Sequence, residues 1–125
     1  MNPKIFLVLR IIFSAFLIFF GLDHFFNYIP FPEMAPEANA YFANLLSTYV
    51  MQLVGVVEVL AGIAFLFNRY GALMAFILMS VSINAVLFHL FLDPPKIYGA
   101  LVLLILNVVF LYHYRKSYAA ILKPV

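Results

Sequence analysis

Four polar side chains stand out within largely apolar stretches: Arg10, Glu58, Asn84 and Asn107. Placed at 1.5 Å per residue along helices, Glu58, Asn84 and Asn107 fall near the middle of a bilayer or somewhat beyond it. Arg10 starts nearer one face, with a side chain long enough to reach inward. A charged group at a helix centre costs roughly 2.5–3.5 kcal/mol on insertion scales, so these residues should point inward and find partners. Two arrangements would satisfy them with no chemistry at all. One is an Arg10–Glu58 charge pair; the other is a protonated Glu58 hydrogen-bonded to Asn84 or Asn107, fixing helix register. The functional arrangement makes Glu58 a proton-accepting or ligand-binding carboxylate in a small polar cavity.

A second set, Asp23, His24, His89 and Asp93, lies near the ends of apolar stretches and so near the outer boundary. Two His and two Asp could bind a metal, hold a quinone headgroup or transfer a proton. The histidines come from different segments without the i,i+4 spacing of a metal motif, which favours helix capping and interhelical hydrogen bonds over a metal. Helical rise places them roughly 8–15 Å above Glu58, too far for direct proton exchange. His113, within Tyr112-His113-Tyr114, is expected in an interfacial aromatic belt. The absence of cysteine removes thiolate nucleophiles, thiolate metal sites and disulfides together.

The elements that must position these groups follow from composition. Of 125 residues, 67% are hydrophobic and 10% charged, against roughly 45–50% and about 25% in a soluble domain, which excludes a soluble globule. A bilayer core about 30 Å thick needs ~20 helical residues per crossing, so four crossings fit and a fifth does not. The expectation is an all-α integral membrane four-helix bundle forming one domain over 1–125, with spans at about 5–26, 49–67, 72–92 and 96–115. Fifteen Phe and eight Tyr imply helix contacts filled by side chains rather than a wide aqueous pore. The formal charge of +2, with no basic stripe on a soluble surface, gives no reason to expect nucleic acid.

The connection after the first span carries Pro30, Pro32 and Pro36, and a helix can begin at Pro36. Ala38, Tyr41, Phe42, Leu45, Leu46 and Tyr49 then recur at helical spacing, as in a short interfacial helix or, equally, the first turns of span two. Asn68-Arg69-Tyr70-Gly71 is short enough to force spans two and three antiparallel. Asp93 is placed to cap span four, with Pro94 in its first turn. Gly55 and Gly62, with Ala61, give span two a surface that another helix can approach closely. Lys4, Arg69, Arg115, Lys116 and Lys123 fall on one side with Arg10 close by, and only Lys96 on the other, so both termini are expected in the cytoplasm. An echo between His24-Phe25-Phe26 and His89-Leu90-Phe91, each followed by proline, raises the question of two repeated hairpins.

Leu7-Val8-Leu9-Arg10, Gly21-Leu22-Asp23-His24-Phe25-Phe26, the run Gly55 to Gly62 around Glu58, Asn84 through Asp93, and Tyr114-Arg115-Lys116 together resemble the DoxX family of small four-span bacterial membrane proteins. That resemblance implies a multi-pass inner-membrane bundle associated with quinol-linked terminal oxidation, thiosulfate oxidation or oxidative-stress complexes. Arg10, His24, Glu58, Asn84 and His89 match its pattern. The leading expectation is an accessory subunit of a respiratory or redox membrane assembly, binding quinone or another lipophilic ligand rather than acting as an autonomous enzyme. The alternatives are a non-enzymatic scaffold or assembly factor, alone or as a homo-oligomer, and a proton-coupled transporter.

Overall fold

The computed structural model describes residues 1–125 and is entirely helical. Helix α1 spans Pro3–Phe26, α2 Pro36–Ser47, α3 Val50–Phe67, α4 Gly71–Leu92 and α5 Tyr98–His113. Helices α1, α3 and α4 are long and apolar enough to cross a membrane; α5 is apolar and shorter. The chain is a helical membrane bundle.

Local chemistry sets the ends. Asn2 caps α1 through its side chain, which accepts from the Lys4 amide at 2.8 Å, and Pro3 occupies the first turn, where no amide donor is needed. Asn27 and Asn68 close α1 and α3 in the left-handed conformation that asparagine tolerates. The segment after Pro36 is a helix of its own: Thr48 Oγ1 donates to the Asn44 carbonyl at 2.6 Å, and Tyr49 turns to φ +63° before α3 begins. Asp93 differs from expectation. It precedes a single 3-10 turn, Pro94–Lys96, without a side-chain capping bond, and α5 starts only at Tyr98. The residue before a proline is disfavoured in the α region, so Pro94, directly ahead of Pro95, is a poor first residue for an α-helix.

The expected α3–α4 antiparallel pair forms, but the tightest packing is α1 against α3. A Cβ on Gly55 would lie 2.7 Å from the Gly21 carbonyl oxygen, and one on Gly62 would lie 2.7 Å from Ile18 Cγ1. These backbones therefore approach as closely as glycine permits. α4 and α5 form the second hairpin. Buried Asn107 belongs to their seam: Ser82 Oγ donates to its Oδ1 at 2.7 Å, and its Nδ2 donates to the Ala75 carbonyl at 2.9 Å. Its role is to fix helix register rather than to partner Glu58.

Phe13, Phe65 and Phe110, from α1, α3 and α5, are fully buried with centroids 4.7–5.5 Å apart, and Leu17 joins them in the core. Along α1 the order is His24, Leu17, Phe13, Arg10, so this core lies between the first and last of these residues. At the end bearing both termini, Phe6 stacks on His113 and Tyr118 donates to the Ala72 carbonyl at 2.7 Å. Burial raises the Tyr118 phenol above its ordinary pKa, and Tyr114 adds to the effect, so the hydroxyl remains a donor.

Candidate functional site

At the α2 end the bundle opens into a cavity of about 500 Å³, walled mainly by apolar side chains of α2, α3 and α4. Ligand sites typically measure ~300–1,000 Å³ and combine apolar walls with a few polar groups that fix orientation. Here those groups are His24, Glu58, Asn84, Ser80 and His89. Each hairpin contributes one histidine from the end of its first helix.

Glu58 is 5% exposed, and its Oε1 lies 3.1 Å from His24 Nε2. This corrects the expectation that His24 and Glu58 occupy separate layers. Taking Gly21 and Gly55 as level, the backbones of His24 and Glu58 are offset by roughly 6–9 Å at helical rise. The side chains close that gap because every Cα–Cβ bond tilts toward its own helix N-terminus. In antiparallel α1 and α3 the two tilts point toward each other: His24 leans into the bundle while Glu58 leans out toward the α2 end. With the proton on Nε2, the imidazole donates to the carboxylate.

The same tilt takes Arg10 away from Glu58. Arg10 lies roughly 12–15 Å along the axis from the level of Glu58 and leans toward the terminal end. It lines a different cavity with Asn68 and His113. The expected Arg10–Glu58 pair is absent: the two ion pairs in the structure are His24–Glu58 and His89–Asp93. A Glu58 bond to Asn84 or Asn107 is likewise absent. Asn84 Nδ2 donates to the Ser80 carbonyl one turn back at 2.7 Å, and this leaves the second donor and the carbonyl oxygen for the cavity.

His89 Nδ1 lies 3.4 Å from the Asp93 carbonyl and 3.5 Å from Asp93 Oδ2. Asp93 is buried, and its Oδ2 is within ion-pair distance of the ring without an aligned hydrogen bond. Both contacts hold Nδ1, so Nε2 is left for the cavity. Asp23 stands apart, its Oδ1 accepting from the Ile29 amide at 2.8 Å to fold the chain back after α1. The two expected groups are thus re-sorted: Glu58, Asn84, His24 and His89 share one cavity, Asp93 backs His89, and Asp23, Arg10 and Asn107 serve elsewhere. No cluster of three metal-ligating side chains forms, and the donor set offers two carboxylate–imidazole pairs.

Helix α2 supplies the part of the wall that no polar motif marked. Tyr41 stacks on Phe88 at 5.6 Å and Phe42 approaches the same ring at 6.5 Å, laying α2 against α4. The helical recurrence of Tyr41, Phe42 and Leu45 was the available signal, since these three line the cavity.

Comparison with family models matches residues 5–90 to DoxX, a segment that includes nearly all of α1, the whole of α2 and α3, and nearly all of α4. The chain belongs to the DoxX family. The match contains every polar group named for the larger cavity of this DoxX protein, from His24 to His89. Neither the curated proteins nor the solved structures yield a match.

Proposed function

We propose that this DoxX protein binds a lipophilic molecule with a hydrogen-bonding polar headgroup, of the quinone type, as an accessory subunit of a respiratory or redox assembly in a bacterial inner membrane. The observation that carries this reading is the convergence of His24, Glu58, Asn84 and His89 in one largely apolar cavity. Asn84 offers a donor and an acceptor to a headgroup, the His24–Glu58 pair can exchange a proton with it, and the α2–α4 walls suit its apolar tail. A partner would supply or take the electrons, since this cysteine-free chain has no thiol pair of its own. Protein purified from native membranes and extracted with organic solvent should release a quinone or a related lipophilic compound in near-stoichiometric amount by mass spectrometry. Recovery of bulk phospholipid alone would oppose the reading.

The transporter alternative gains nothing here, because the Phe13, Phe65 and Phe110 core fills the space between the two end cavities. The distribution of lysine and arginine supports cytoplasmic termini. Single cysteines in place of Ser117 and Glu37 should therefore react with an impermeant thiol reagent from the cytoplasmic and outer sides respectively. The reverse pattern, or labelling from one side only, would contradict that orientation.

A further inference from the structure

The cavity at the terminal end has no part in the proposed function, and its chemistry differs. It measures about 380 Å³ and is lined by Met1, Pro3, Phe6, Leu7, Arg10, Asn68 and His113. Arg10 Nε is buried with no hydrogen-bond partner, and no carboxylate pairs with the guanidinium. No acidic side chain lies near Arg10. Its five acidic side chains are Asp23, Glu33, Glu37, Glu58 and Asp93. Four belong to the α2 end or the connections there, and Glu58 is turned toward that end and held by His24. Lys4, Arg69, Arg115 and Lys116 meanwhile surround the terminal end with the same sign as Arg10.

A guanidinium with an unpartnered buried nitrogen, in a membrane helix and in a basic neighbourhood, calls for an anion from outside the chain. Its position narrows the source. Arg10 lies roughly 10 Å along α1 from Pro3 and leans outward, which puts its fork near the boundary between acyl chains and headgroups. Leu7 is exposed beside it, and Phe6, stacked on the His113 imidazole, forms a flat wall. We propose that this cavity is a binding site for an anionic phospholipid, with the phosphate on Arg10, Asn68 and His113 donating alongside, and the acyl chains running over Leu7. Guanidinium and phosphate match as a two-point hydrogen-bonded pair, a geometry that lysine does not reproduce.

The test uses the full chain in detergent, with phosphatidylglycerol, phosphatidylcholine and inorganic phosphate as separate additions, read by native mass spectrometry and thermal unfolding. Wild-type protein should retain phosphatidylglycerol in preference to phosphatidylcholine and unfold at higher temperature with it, while millimolar inorganic phosphate neither stabilises nor competes. Loss of a charge-assisted bidentate contact should lower phosphatidylglycerol retention about tenfold or more in Arg10→Gln. Arg115→Gln is the control for net charge, because Arg115 is engaged with Tyr112 through Nη1 at 2.8 Å and over its ring at 4.2 Å. Its retention should stay within about twofold of wild type, as expected for an exposed charge. If Arg10→Gln fails to fold, Arg10→Lys takes its place and should still lose most of the preference. Equal retention of the two lipids by wild type, or undiminished retention by the Arg10 variant, would overturn the proposal. Equivalent stabilisation by inorganic phosphate would also overturn it, identifying a site for the free ion instead.

Discussion

Gly55→Val should unfold far more readily than wild type in detergent and should lose ligand binding with it. The first atom added to Gly55 would stand 2.7 Å from the Gly21 carbonyl oxygen, 2.9 Å from Phe25 Cε2 and 3.0 Å from His24 Cβ. The nearest of these is backbone, so no side-chain rotation relieves it; α1 and α3 must separate. Overpacking of this kind costs about 1–3 kcal/mol, with valine at the upper end or beyond because of its branch. Separation of the helices also moves His24 from Glu58, which couples the stability effect to the site. Gly99→Ala is the matched control. Nothing lies within 4 Å of a Cβ there, so the substitution should be neutral or stabilising by up to ~1 kcal/mol. Thermal unfolding of the two variants beside wild type checks both expectations, and equal behaviour would contradict the close α1–α3 approach.

Glu58→Gln should separate binding from stability. The amide keeps the shape of the side chain but removes the charge that His24 and a headgroup donor engage. Hydrogen bonds to a charged group contribute about 1.5–3 kcal/mol, so affinity for a quinone analogue should fall by roughly 10- to 150-fold. Folding should change little, because losing the carboxylate also removes the cost of keeping it away from water. Arg10→Gln should leave the same affinity within about twofold, since Arg10 lines the other cavity. Titration of the three proteins with a fluorescent or spin-labelled analogue distinguishes these outcomes.

Much of the fold was legible because the bilayer demands it. Long apolar runs, prolines at their ends and the brief Asn68 to Gly71 turn give three helices long enough to cross a membrane and a shorter apolar fourth almost without reference to packing. Glu58 stood out for the same reason, as a carboxylate in an apolar run. Its partner was not legible, because depth counted along each span omits side-chain direction. In antiparallel helices that direction draws His24 and Glu58 together and sends Arg10 the other way. Depth omits the azimuth too. Asn107 has a suitable height, but its face of α5 is turned to Ser82 and the Ala75 carbonyl. The glycines pointed to a close helix contact without saying which helix would make it. The cavity wall at Tyr41 and Phe88 depends on how α2 lies across α4, which no spacing within either helix specifies.

The most direct test of the central claim is an experimental density map of the protein purified from native membranes, inspected in the cavity between α2, α3 and α4. The account predicts elongated density with its polar end within hydrogen-bond distance of Glu58, His24 or Asn84 and its tail between α2 and α4. A cavity occupied only by water, or by an acyl chain making no polar contact with these residues, would contradict it.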